Sequence, residues 1–270
     1  MAPIWIKPES EIMPMEKEGH YIYCIIGSAQ DRNFGPNGIG SRGDEVLTIG
    51  YNDLSMVVSN HPLTKFVVSR DNLITHERVI ETVMKEFDSV LPVRFGTIAS
   101  SADEIRNLLD RRFREFKNLL RDMDHKIELG VKGMWKDMKT IFKEIAVENK
   151  DIKRARDEIL KTRGKKNIGA KIEVGKLVED ALARKKEKEQ EWVVEILRRI
   201  AFDYKLNKTV GGEMFVNAAF LVDKSREKEF DNIMEELTDQ YQSRMKFLYA
   251  GPLPVFNFVN VAIYPEEWEK

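Results

Sequence analysis

The stretch Ser89-Val90-Leu91-Pro92-Val93-Arg94-Phe95-Gly96-Thr97-Ile98 decides how the chain is read. It is short and mostly apolar, and it follows an amphipathic helical pattern, so it reads as a strand closing a helix–strand unit. Two of its residues are unusual in a strand. Pro92 has no N–H to give a ladder and belongs at a strand's start or on an edge. Arg94, set among Val, Phe and Ile, must be paired or must snorkel outward. It reads as a structural clamp, with substrate binding as the rival role. A related stretch, Leu253-Pro254-Val255-Phe256-Asn257-Phe258-Val259-Asn260-Val261, follows a second helical pattern. The recurrence predicts two related folding units.

Working outward, Leu73, His76, Val79, Ile80, Val83, Met84 and Phe87 keep three- and four-residue spacing, which predicts a helix from residue 71 or 72. Upstream, residues 21–26 are apolar throughout and predict a central strand. A glycine-rich loop follows at 27–44, then strands at 45–49 and 51–59, with an extended piece at 65–68. Downstream, Ser101 and Glu104 have capping-box spacing ahead of the stripe Ile105, Leu108, Leu109, Phe113, Phe116, Leu119 and Leu120. Residues 127–135 alternate as a strand, with Glu128 and Lys132 on its polar side.

Beyond residue 136 the apolar stripe thins from Met138, Ile141, Phe142 and Ile145 to a sparse Ile152, Ala155 and Ile159. A break at 162–169 precedes a second charged helix running toward Trp192 and Ile200, which predicts an antiparallel hairpin. A strand at 214–222, a helix at 227–241 and strands at 246–249 and 255–263 complete the chain. The expected fold is α+β: two ferredoxin-like domains, antiparallel sheets plus helices, with a projecting charged helical hairpin at about 136–200. The expected boundaries are a flexible leader at 1–19, an N-terminal domain at 20–125 and a C-terminal domain at 126–270.

Composition narrows the function. With 44 basic and 45 acidic residues the net charge is −1, which argues against a nucleic-acid footprint. The single cysteine, Cys24, excludes an internal disulfide and a multi-thiolate metal site. No apolar run approaches the ~20 residues that cross a bilayer. Residues 1–19 lack the basic start and apolar core of a signal peptide, so a cytoplasmic chain is expected.

Candidate chemistry is thin. Gly38-Ile39-Gly40-Ser41-Arg42-Gly43 has the letters of a dinucleotide loop but runs into another strand pattern, where the chemistry needs a helix N-terminus. Gly164 to Lys171 approaches a P-loop, yet Ala170 stands where the phosphate-reaching lysine belongs. The four histidines have no ligand spacing, and His76 falls on the inner stripe of its helix. Acidic residues interleave with the basic ones through the segment 150–191, as on a solvated face. The expectation is therefore no enzyme and no cofactor, metal or nucleic acid. The rival is a ferredoxin-like sensor or small-molecule enzyme with a cleft near Arg94 and His76.

Several ordered motifs resemble the GvpF/GvpL family of gas vesicle proteins. They are Val90-Leu91-Pro92-Val93-Arg94-Phe95-Gly96-Thr97 after a helix holding His76-Glu77, Ile127-Glu128-Leu129-Gly130-Val131-Lys132, Asn217-Ala218-Ala219-Phe220-Leu221-Val222, and Gly251-Pro252-Leu253-Pro254-Val255-Phe256-Asn257-Phe258-Val259. Leu253 departs from the aromatic common there, and residues 1–19 have no counterpart. The resemblance implies an accessory or structural protein of gas vesicles, without enzymatic activity or cofactor. It also implies action in nucleation and assembly through contact with the small hydrophobic shell protein and other accessory proteins. It marks Pro92, Arg94, Phe95, Gly96, Asn217, Gly251, Pro252 and Pro254 as structural motif residues, and it places the protein at cytoplasmic gas vesicles.

Overall fold

The computed structural model describes residues 17–63, 68–161 and 168–263. The leader up to residue 16, the extended piece at 65–67 and the hairpin turn at 162–167 lie outside the described residues. The chain divides into two units, one of residues up to Leu120 plus the segment from Val261, the other Arg121–Asn260.

Unit 1 begins with β1 (Glu18–Ile26), β2 (Val46–Tyr51) and β3 (Leu54–Pro62). Helix α1 (Arg70–Met84), β4 (Val90–Pro92), β5 (Ile98–Ala99), α2 (Ala102–Arg111) and α3 (Phe113–Asp122) follow. The sheet runs β2-β3-β1-β4, antiparallel, with β5 also beside β1. Strand β1 is central, and both of its faces are buried, which explains its uninterrupted apolar run. One face (Tyr21, Tyr23, Cys24, Ile26, Val46, Val57, Val90) packs on Val79, Ile80 and Val83 of α1. On the other, Ile22 faces Val58, and Ile25 faces Met56 and Leu91. The buried Ile105, Leu108 and Leu109 of α2 cover that second face, where α2 meets β2 and β3.

Local chemistry sets the helix ends. The Ser69 hydroxyl accepts the Asn72 N–H at 3.1 Å and starts α1. Ser101 accepts the Glu104 N–H at 3.2 Å, but Glu104 returns to the Ser100 N–H at 2.7 Å, one residue earlier than a capping box expects. The stripe from Ile105 to Leu120 also breaks at Arg112 into two helices.

Unit 2 holds β6 (Lys126–Trp135), α4 (Met138–Glu148), α5 (Lys150–Lys161), α6 (Ile168–Leu197), β7 (Ala201–Leu206), β8 (Met214–Asp223), α7 (Glu227–Tyr241) and β9 (Met245–Leu253). Its sheet order is β7-β8-β6-β9. Counted within each unit, both sheets therefore align their second, third, first and fourth strands. Unit 2 has the full split β-α-β-β-α-β order, whereas a loop replaces the first helix in unit 1. The segments α1–β4 and α7–β9 occupy the same topological place.

Three expectations change. Pro92 ends β4 rather than heading a longer strand, and the chain turns at Phe95 and Gly96. The first hairpin arm is two helices, parted at Asn149, whose extended backbone (φ −111, ψ 103) cannot continue α4. Residues 255–263 form turns, with the Phe258 and Val259 N–H groups both returning to the Val255 carbonyl; only Val261 makes a bridge. The base of the hairpin belongs to the unit 2 core, where Ile141, Ile145, Ala181, Val193 and Leu197 join Phe215 and Phe220.

Gly133 marks a close approach inside that core. A Cβ there would lie 2.6 Å from Phe215 Cζ and 2.8 Å from Val216 Cγ1. Gly133→Ala is expected to lower stability by about 2 kcal/mol in a urea titration, because both neighbours are fully buried. Gly175 lies within α6, where a Cβ meets nothing within 4 Å. Gly175→Ala should instead stabilise by roughly 0.5–1 kcal/mol. Equal effects at the two sites would contradict the packing argument.

Candidate functional site

The turn after β4 is held by its backbone. Val93 N–H donates to the Tyr23 carbonyl at 2.9 Å, and Arg94 N–H donates to the Val261 carbonyl at 3.2 Å. Gly96, at φ +86, donates its N–H to the Tyr21 hydroxyl at 3.1 Å. The Thr97 hydroxyl closes the turn on the Arg94 carbonyl at 2.6 Å. Arg94 itself is exposed, so its guanidinium is not the buried clamp that an apolar strand would require. The turn at Gly96 carries that side chain to the surface.

Beneath the turn lies an aromatic nest. Phe95 is edge-on to Tyr21 at 6.3 Å and to His76 at 5.5 Å, and His76 stacks on Tyr23 at 5.6 Å. The Tyr21 hydroxyl, accepting from Gly96, donates onward to His76 Nδ1 at 2.9 Å. The Tyr23 hydroxyl meets Ser59 Oγ at 2.8 Å and accepts the Ile39 N–H at 2.7 Å. Burial pushes the imidazole of His76 down to about 4, with a hydrogen bond to the Val93 backbone pulling the other way. Burial also pushes the Cys24 thiol far up, which leaves it inert.

A cleft of about 370 Å³ opens elsewhere in unit 1, lined in part by Phe34, Asn37, Ser41, Arg78 and Thr82. Neither Arg94 nor His76 lines it. The loop that forms one wall, with Gly38 and Gly43, runs into β2 rather than into a helix, so it offers no helix N-terminus to a pyrophosphate.

In unit 2 the motif residues hold the sheet's connections. Asn217 Nδ2 donates to the Lys208 carbonyl at 2.9 Å, while its own carbonyl accepts the Asn207 N–H at 2.7 Å, and together they close the β7–β8 link. At Gly251 a Cβ would overlap Leu129 Cδ2 and lie 3.3 Å from the Glu128 carbonyl. Pro252 is exposed just before the end of β9, and Pro254 is buried just beyond it. Glu128 is only 3% exposed, although strand alternation puts it on the polar side. Its Oε2 accepts the Asn257 N–H at 2.9 Å and its Oε1 accepts Asn257 Nδ2 at 2.6 Å. Burial raises this carboxyl above its usual range, and the two bonds from Asn257 oppose that rise.

The sheet edges differ between the units. The outer edge of β2 is covered by its own loop, since Phe34 N–H donates to the Val46 carbonyl and Val46 N–H to the Gly35 carbonyl. Beyond β4, Val93 bridges to Val261. In unit 2, β7 and β9 each pair on one side only, among the described residues. Large apolar side chains stand exposed on or next to those edges: Phe202 (63%), Leu206, Val210 (70%) and Leu248. Among the described residues no helix is long and apolar enough to cross a membrane, and no cluster of metal-ligating side chains forms.

A family model described as "Gas vesicle synthesis protein GvpL/GvpF" matches residues 19–260. Gas vesicle protein F of Dolichospermum flosaquae is 29% identical over 200 residues, covering 73% of this chain and 80% of that protein. Gas vesicle protein F1 of Halobacterium salinarum is 25% identical over 256 residues, covering 93% and 97%. The crystal structure of GvpF from Microcystis aeruginosa superposes with a TM-score of 0.74 at 25% identity, covering 89% of this chain and 98% of that one. For GvpF from Anabaena sp. the TM-score is 0.77 at 24% identity, over 92% and 99%, a likeness of fold.

Proposed function

The chain belongs to the gas vesicle synthesis protein GvpL/GvpF family, and from that premise we propose that it acts in gas vesicle nucleation and assembly by binding the small hydrophobic shell protein. It does so without enzymatic chemistry, as a cytoplasmic protein that associates with the forming vesicle and with other accessory proteins. The observation that supports this reading is the open edge of β9, a nine-residue strand with Leu248 exposed at mid-strand. An extended apolar segment gains main-chain hydrogen bonds from such an edge and side-chain contact from the residues beside it. The 33% of charged residues keeps the complex soluble while that segment is held.

Co-purification with the shell protein tests it. Leu248→Glu on β9 should reduce capture about tenfold or more, since a carboxylate is forced against apolar surface. Leu47→Glu on the covered β2 edge should leave capture unchanged. Full capture by both variants would sink the proposal. A small metabolite or nucleotide that raises Tm, and that loses this effect in Arg78→Ala, would move the reading to the unit 1 cleft.

A further inference from the structure

The outer edge of β7 is complementary to itself. The strand reads Ala201-Phe202-Asp203-Tyr204-Lys205-Leu206 and pairs on its inner side with β8. Asn207 N–H points inward to the Asn217 carbonyl, so by alternation Tyr204 and Leu206 point their backbone groups to the open side. The Tyr204 N–H confirms the direction: it is met there by its own Asp203 carboxylate at 2.8 Å. Asp203 and Lys205, opposite Leu221 and Ala219, share one face of the strand.

We propose that this edge pairs with β7 of a second copy of the chain, antiparallel and centred on Tyr204, to give a two-fold dimer with one sheet running through both copies. That register sets Asp203 opposite Lys205 of the second copy, and Lys205 opposite its Asp203, so one two-fold contact makes two ion pairs. Phe202, at the bulge beyond Asp203, and Leu206 flank this contact, both exposed in the single chain. Moving the centre by one residue, to Asp203 or Lys205, sets like charge opposite like, so the charges select the register as well as the partner. Edge strands are commonly guarded by charge. Here the two guards are of opposite sign and two residues apart, and a second copy neutralises them. On pairing, the Asp203 carboxylate leaves the Tyr204 N–H, which bonds to the Tyr204 carbonyl of the second copy, and turns to Lys205 of that copy. Shell-protein capture at β9 uses the opposite edge of the sheet, so the two contacts are independent.

Sedimentation equilibrium of the full chain without shell protein, across the micromolar range, tests the dimer. The unaltered chain should show a concentration-dependent dimer. Asp203→Lys and Lys205→Asp each place two like pairs across the axis and should weaken the dimer about tenfold or more. The double exchange D203K/K205D restores opposite pairs and should recover most of the loss. Both positions that change are exposed surface charges, and far-UV circular dichroism checks that each variant is folded. A chain monomeric at every concentration overturns the proposal, as does a dimer indifferent to the single reversals, or a double exchange that fails to recover. If the chain stays monomeric and the β7 reversals instead weaken shell-protein capture, that partner takes the edge.

Discussion

Lowering the pH from 6.5 to 4 removes about 3 kcal/mol of folding stability through His76 alone, and a His76→Gln chain lacks that part of the acid sensitivity. The imidazole is 3% exposed, ringed by Tyr21, Tyr23 and Phe95, and its Nδ1 accepts the Tyr21 hydroxyl. A proton on Nδ1 would face that O–H and bring charge into a site with little water. The folded-state value of about 4 lies below the unfolded value of 6.5, so in this window the unfolded chain binds the extra proton. Stability therefore rises with pH between 4 and 6.5, is fully present above 6.5, and is lost as the pH falls through the window. Urea titrations of both chains at pH 4, 5, 6 and 7 isolate this contribution from the carboxylates, since only the difference between the curves belongs to His76. Parallel curves would show that the ring is charged in the fold or reached by water.

The nest also shows which parts of the chain are legible in sequence. The His76 helix, the central β1 and helix α7 follow from apolar spacing, because each buries a face whose period the sequence repeats. Arg94 misleads because its exposure depends on a turn at Gly96, whose N–H partner, the Tyr21 hydroxyl, lies 75 residues away. Strand β7 escapes notice for a different reason. It is an edge strand with a bulge at Phe202, so both apolar and charged side chains face solvent and no clean alternation forms. Residues 255–263 carry a strand-like apolar content, yet Pro254 and the bonds from Asn257 to Glu128 turn the backbone instead. The candidate surface was legible in part: proline does mark sheet edges at β4 and β9, but which edges stay open depends on a loop and a returning tail.

Asn257→Leu should cost about 3–4 kcal/mol at pH 7, because it strips the side-chain donor from a carboxylate that is almost wholly buried. In its present form Glu128 meets two N–H donors with two oxygens, an arrangement that favours the ionised form. Without the Asn257 amide the charge is left with the backbone N–H alone. The chain can escape that cost by protonating Glu128, and taking a proton at pH 7 on a group of ordinary value near 4.3 costs about 4 kcal/mol, which caps the penalty. The pH dependence follows with a definite sign. Burial already raises the folded-state value of Glu128, and losing Asn257 raises it further. Between the unfolded and folded values the folded chain holds the extra proton, so stability falls as pH rises and the penalty shrinks on acidification. The double variant Glu128→Leu with Asn257→Leu removes charge and donor together and should recover most of the loss, since an apolar pair leaves nothing buried and unpaired. A single substitution costing under about 1 kcal/mol at pH 7, or a cost that grows toward pH 5, would mean water reaches the carboxylate and that the segment after β9 is held by the burial of Val255 and Val259 instead.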